Sequence, residues 1–159
     1  MDFLVKKATL EDKDIFKNLM QFYFYDFSEY VEAHVEEDGR FGDYPYLENY
    51  WNEESRFPYL IEYNGKHAGF ALVRRIESEE KAYYSIAEFF VMKKYRFSGL
   101  GKLVAHQLFD LHKGIWEVFQ IAKNEPAQIF WRKAINEYTK GTFTERKEES
   151  TVIQGFTSY

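Results

Sequence analysis

The chain has 159 residues, a net charge of −5, 45% hydrophobic and 30% charged residues, and no cysteine. That length fits one domain, 1–159, able to bury about two-thirds of its unfolded surface, and the composition excludes a disordered segment. Thiol nucleophiles, disulfides and cysteine-ligated zinc are excluded with the cysteines, and the acidic balance argues against a nucleic-acid partner.

Charges run through the first fifteen residues and no apolar stretch reaches membrane-spanning length, so no membrane partner is expected and a cytoplasmic location is the default. Residues 1–8 suit an edge strand. Thr9, with Glu11 and Asp12 behind it, is a helix start: a hydroxyl cap and acids facing the helix dipole. Phe16, Leu19, Met20, Tyr23, Phe24 and Phe27 then recur at helical spacing and predict an amphipathic helix. Two glycines and a proline over 38–45 predict a loop, and 46–54 a short helix. Three strand-like runs follow, over 58–63, 67–76 and 82–91, the first two joined by the hairpin pair Asn64-Gly65.

Leu100, Leu103, Val104, Leu108 and Leu111 predict a second long helix, ending near Gly114. A strand over 116–121 leads to Asn124-Glu125-Pro126, which caps and starts a third helix carrying Ala127, Phe130, Trp131 and Ala134 on one face. Residues 142–146 and 151–156 look like a closing pair of strands. The whole reads as one mixed α/β unit.

The stretch "KKYRFSGLGK", residues 93–102, gathers Lys93, Lys94, Arg96 and Lys102 around Gly99 and Gly101 in an otherwise acidic protein. A strand, a basic turn and a helix start make a candidate anion cradle. The first helical turn leaves amides unpaired, glycines admit close approach, and cations attract. The pattern is neither a P-loop, lacking the first glycine and the hydroxyl, nor a dinucleotide fingerprint, whose third glycine is replaced by Val104.

The segment Arg96-Phe97-Ser98-Gly99-Leu100-Gly101 resembles the R/Q-x-x-G-x-G/A signature of the GNAT superfamily of acetyl-coenzyme A-dependent N-acetyltransferases. Upstream "EFFVMKKYR" and downstream "NEPAQIFWRKA" are similar to the blocks that flank that signature in the family. The resemblance implies a central, mixed, mostly antiparallel twisted sheet flanked by helices, with acetyl-coenzyme A as co-substrate and an amine as acceptor. It implies that the amides of Phe97, Ser98, Gly99, Leu100, Gly101 and Lys102 wrap the coenzyme pyrophosphate, with Arg96 opening the loop. Phe90, Val91, Met92 and Lys93 would pair with the pantetheine arm and supply an oxyanion donor. Asn124 would reach the pantetheine, and Phe130 would line the channel.

The expected reaction is direct attack of a primary amine on the thioester, with a base to take the amine proton. Glu88 stands at a suitable place on its strand for that base, or else faces solvent or a cation. The family's thiolate-protonating tyrosine is matched here by Trp131, which is no useful acid. Either Tyr138 supplies the proton, or the thiolate leaves unassisted, or the protein binds coenzyme A without catalysis. His106 reads as a surface residue, and no histidine shows metal-ligand spacing, so no metal is expected. The aromatics of 22–51, interleaved with Glu29, Glu32, Glu36, Glu37, Asp38 and Asp43, suit a cationic amine or are simply core and surface. The reading is an N-acetyltransferase for a small amine; the alternatives are a protein N-acetyltransferase or a non-catalytic acyl-coenzyme A-binding module. A homodimer is open as the assembly.

Overall fold

The structure, a computed structural model, describes residues 2–159. Its strands and helices follow the order β1 (Phe3–Lys7), α1 (Lys13–Phe27), α2 (Asn49–Asn52), β2 (Arg56–Tyr63), β3 (Lys66–Glu77), β4 (Ala82–Val91), α3 (Leu100–Leu111), β5 (Gly114–Ile121), α4 (Glu125–Thr139), β6 (Thr144–Glu148) and β7 (Thr151–Ser158). All seven strands join one sheet in the order β1-β2-β3-β4-β5-β7-β6. Every neighbouring pair is antiparallel except β4 and β5. This is the mixed, mostly antiparallel sheet that the sequence resemblance implies.

Helices cover both faces. Phe16, Leu19 and Met20 of α1 and Tyr50 of α2 bury against Leu60, Phe70, Leu72 and Phe90 on one face. Leu100, Val104 and Leu108 of α3 and Trp131 and Ile135 of α4 bury against Ile61, Ala71, Val73 and Trp116 on the other. The alternation of β3, with Leu72 on one face and Val73 on the other, is the period-2 pattern of a strand buried on both sides.

Two element boundaries fall differently from the sequence expectation. The short helix forms only over Asn49–Asn52, because Tyr46 and Leu47 instead make successive tight turns into it. Asp12 precedes α1 at the end of a single 3-10 turn, where its carboxylate accepts the Thr9 N–H at 2.9 Å. The Thr9 hydroxyl donates to the same carboxylate at 3.4 Å, and the two residues form a capping box at the expected helix start. The strand expected over 142–146 lies at Thr144–Glu148, in register with β7. No described helix is long and apolar enough to cross a membrane.

Candidate active site

The parallel β4–β5 pair holds at a single register position, Tyr84 with Trp116. Beyond it β5 stays with β7, while β4 stays with β3, so the two strands part toward their C-terminal ends. Met92 N–H donates to Ala68 carbonyl at 2.8 Å, which fixes the alternation of the β4 backbone. Phe90 and Met92 therefore face β3 with their N–H groups instead of the edge expected to meet a pantetheine arm, and the N–H groups of Phe89 and Val91 lie on that open edge.

Glycine keeps this strand end in place. At Gly69, opposite Val91, an added Cβ would lie 1.9 Å from the Phe90 carbonyl oxygen, so no larger residue fits without moving β4. The composition of β3 alone gave no hint of that contact.

β4 also carries a bulge. Val73 pairs with Ile86 and Leu72 with Glu88, leaving Ala87 as the extra residue. Ile86 packs on the α3/α4 face; strict alternation would send Glu88 there too. The bulge turns Glu88 to the α1/α2 face instead. There Tyr23 of α1 donates to its Oε1 at 2.6 Å and Tyr44 to its Oε2 at 3.2 Å. Glu88 thus neither faces open solvent nor pairs with a cation.

Burial raises the Glu88 pKa above the ordinary value of 4.5, and the two tyrosine donors offset part of that rise. The tyrosines move upward as well: Tyr23 through burial and then the Glu88 charge, Tyr44 through burial and then the same charge. Both hydroxyls stay protonated and so remain donors. A half-buried carboxylate between two neutral donors is a proton acceptor with a raised pKa, the property a general base requires.

On the other side of the opening lies the glycine loop. Lys93–Tyr95 form one 3-10 turn, and Gly99 caps α3 in the left-handed conformation, φ 86°. Phe97 also has positive φ, 63°, and its side chain is fully exposed. Ser98 is exposed, its hydroxyl donating to Tyr95 carbonyl at 2.6 Å and accepting from Leu100 N–H at 3.4 Å. The first α3 backbone bond is Leu103 N–H to Gly99 carbonyl at 3.1 Å, so the N–H groups of Gly101 and Lys102 are spare first-turn donors. The loop residues fit an anion at this helix start.

The two glycines do different work. Gly99 supplies the left-handed turn, with open space where a Cβ would be. Gly101 makes room for a side chain: its Cβ would lie 3.0 Å from the Phe130 ring. The expectation that both glycines clear space for phosphate is thus corrected at Gly101. Phe130 in turn lies 5.7 Å from Phe89 and 4.9 Å from Trp131, ring centre to ring centre, closing an aromatic wall between α3, α4 and the β4 end.

The cations divide as well. Arg96 does not extend into the loop. Its Nε donates to Val91 carbonyl at 2.7 Å and its guanidinium pairs with Asp26 of α1, bracing the β4 end. Lys102 pairs with Glu137 at 2.8 Å. Lys93 and Lys94 are exposed.

Tyr138 and His106 sit otherwise than the sequence suggests, while Asn124 takes its expected place as a helix cap. Tyr138 lies on the α3/α4 face, where its hydroxyl donates to Asp110 at 2.6 Å and bonds Ser158 at 2.7 Å. Glu88 is on the opposite face, so the structure does not bring Tyr138 to it. The Asn124 side-chain oxygen accepts from Ala127 N–H at 3.2 Å, capping α4. His106 is half-buried, its Nε2 2.8 Å from Ala134 carbonyl, and ties α3 to α4 instead of facing solvent. Among the described residues no group of histidine, aspartate and glutamate has the arrangement to hold a metal.

Comparison with known proteins agrees with this geometry. The acetyltransferase (GNAT) family model matches residues 15–135. No curated protein sequence matches the chain significantly. Among solved structures, the ribosomal-protein-S18-alanine N-acetyltransferase of Escherichia coli superposes with TM-score 0.67 at 14% identity, covering 99% of this chain and 94% of the other. An aminoglycoside acetyltransferase from an uncultured soil metagenomic sample, in complex with sisomicin, gives 0.66 at 15% identity, with 92% and 93% covered. The PaiA N-acetyltransferase of Thermoplasma acidophilum, in complex with coenzyme A, gives 0.65 at 12% identity, with 99% of both chains covered. The match over most of its length, on a sheet that parts between β4 and β5 beside a glycine-capped helix, makes the chain a member of the GNAT acetyltransferase family.

Proposed function

We propose that the protein transfers an acetyl group from acetyl-coenzyme A to the primary amine of a small molecule, with Glu88 as general base. The observation that carries the reading is the Glu88 carboxylate, turned by the Ala87 bulge onto the α1/α2 face and gripped by Tyr23 and Tyr44.

The chain's own groups divide the work. The amides of Phe97 to Lys102 and the first turn of α3 hold the pyrophosphate, with Lys93 and Lys94 adding attraction. The open edge of β4, offered by the N–H groups of Phe89 and Val91, pairs with the pantetheine arm, and the Val91 N–H receives the developing negative charge on the carbonyl oxygen. When bound, acetyl-coenzyme A supplies an activated acetyl thioester. Glu88 takes the proton of the acceptor amine, directly or through water, so that a neutral nitrogen makes the new N–C bond as the C–S bond breaks. The departing thiolate takes its proton from solvent: Trp131 is buried against Phe89 and offers no acid, and Tyr138 is engaged elsewhere.

Thiol release from acetyl-coenzyme A in the presence of a panel of amines tests the reading. Amine-dependent release with an acetylated amine as product supports it. A thermal upshift with coenzyme A but no release with any amine would make the protein a coenzyme-binding module instead.

A further inference from the structure

Among the described residues, three buried side-chain polar atoms lack a hydrogen-bond partner: Tyr50 Oη, Arg56 Nε and Arg74 Nε. All three lie in one place. Arg56 of β2 is directly opposite Arg74 of β3, which is opposite Ser85 of β4, and this row faces α2. The Arg56 guanidinium lies over the Tyr50 ring at 5.3 Å and over Tyr46 at 5.7 Å. The Tyr50 hydroxyl lies beside the Arg56 guanidinium and the Tyr44 hydroxyl and within the fields of Arg74 and Glu88. The next row along the same face is Pro58, Leu72 and Glu88, about 7 Å away at two residues of strand rise.

Two like charges opposite each other on neighbouring strands repel, and burying their polar atoms without partners adds to the cost. The fold supplies one carboxylate nearby. Glu53 Oε2 is 3.5 Å from Arg56 Nε, on a side chain 42% exposed that also accepts from Asn49. Among the described residues Arg74 has no carboxylate within ion-pair distance, and its Nε lacks a partner. A planar pair of guanidiniums beside a buried hydroxyl is what a carboxylate or phosphate group requires, because each fork offers parallel donors.

We propose that the acceptor amine carries an oxyanion, held by Arg56 and Arg74 with the Tyr50 hydroxyl, which aims its nitrogen along the sheet face at Glu88. The proposal rests on the acetyltransferase reading above and narrows its substrate class to amines bearing a carboxylate or phosphate. It also gives the acidic loop residues a subsidiary role, since an anionic group seated between two arginines does not depend on them.

The test compares matched acceptors: amino acids with their carboxamides, and phosphoethanolamine with ethanolamine. The expected result is a kcat/KM preference of about 10- to 100-fold for the oxyanion member of one pair, the worth of charge-assisted hydrogen bonds. Whichever pair shows it identifies the oxyanion as carboxylate or phosphate. Arg74→Gln and Arg56→Gln should each collapse that preference toward unity, with the coenzyme Kd, measured by calorimetry, unaltered. Their melting temperatures should hold or rise, because removing one of two opposed charges relieves repulsion. Acetylation of neutral and oxyanion-bearing amines at equal rates would overturn this proposal alone. A retained preference in both variants, with lowered melting temperatures, would make the arginines structural and overturn it too. Coenzyme binding with no amine acetylated, or no coenzyme binding at all, would sink the acetyltransferase reading and this one with it.

Discussion

On the face that carries α3 and α4, the site is made of backbone and close packing. Amides of the α3 start, the open edge of β4 and the Phe89–Phe130–Trp131 wall are held by steric fit. On the α1/α2 face it is made of polar side chains: Glu88 with Tyr23 and Tyr44, then Tyr50, Arg56 and Arg74. The first face suits a ligand with a repeating, shape-defined body. The second suits a ligand recognised by charge and proton state. Substitutions on the first face should therefore act on coenzyme affinity, and those on the second on turnover and pH dependence.

The largest effect is expected at Glu88. Glu88→Gln should lower kcat by about 10²–10⁴-fold, the usual contribution of a positioned base, with the coenzyme Kd unchanged. Stability should not fall with it. A carboxyl whose folded pKa is raised favours the fold fully below the ordinary carboxylate range and loses that contribution as pH rises through the raised value. At neutral pH the amide escapes that loss, so chemical denaturation should show Glu88→Gln at least as stable as the parent. Parallel losses of turnover and coenzyme binding would erase the distinction between the faces.

Gly69→Ala attacks the other face. With its Cβ 1.9 Å from the Phe90 oxygen, the β4 end must shift. Overpacking of this kind costs about 1–3 kcal/mol of stability. Calorimetry should show coenzyme affinity weakened at least about tenfold, at 1.4 kcal/mol per decade. Unchanged affinity in a folded Gly69→Ala protein would mean that the strand end is not the pantetheine edge.

Tyr23→Phe sharpens the second face. The hydroxyl donates to Glu88 and favours its ionised form, so its loss moves the Glu88 pKa further up. Only the ionised carboxylate takes a proton, so the acid limb of the kcat/KM profile should lie above pH 4.5 in the parent. In Tyr23→Phe it should move about 1–2 pH units higher, the worth of a hydrogen bond to a charged group, with the rate recovering as pH rises. A limb that stays in place would show that another group titrates. The smallest effect is expected from Lys93→Ala and Lys94→Ala: about a two- to threefold weaker coenzyme Kd at low salt, disappearing at high ionic strength where exposed charges are screened.

The two faces were also unequally legible in the sequence. Gly99 and the first turn of α3 could be read because a left-handed cap and unpaired amides leave a local pattern. Strand β4 was placed at Ala82–Val91 because both of its flanks are turn signals. What Gly101 does could not be read, since the ring of Phe130 that fills its space comes from another helix. Arg96 resembled its loop neighbours in charge, yet its guanidinium pairs with Asp26, seventy residues away in sequence. Glu88 was readable as a residue of interest but not as a side chain on a particular face. That depends on an unpaired Ala87, and an alanine in a strand has no signature. The Arg56–Arg74 row was missed because cross-strand neighbours follow from register, which the hairpin Asn64-Gly65 fixes only together with the extra residue at Ala68.

The Ala87 bulge makes the site a matter of parity. Between Ser85 and Val91 the strand changes phase once, so residues after Ala87 carry the opposite odd–even assignment to those before it. Deleting Ala87 would restore strict alternation and leave every other β4 side chain on its present face, whereas inserting one residue between Ala87 and Glu88 would exchange the faces of whatever lies on one side of the insertion. With β4 anchored at its Tyr84 end, that insertion would send Glu88 into the apolar layer beneath α3 and turn Phe89 to the Tyr23 side. Such a protein would keep the glycine loop and its anion donors while its carboxylate pointed away from the acceptor. A single-codon insertion could thus separate the ability to hold coenzyme from the ability to use it.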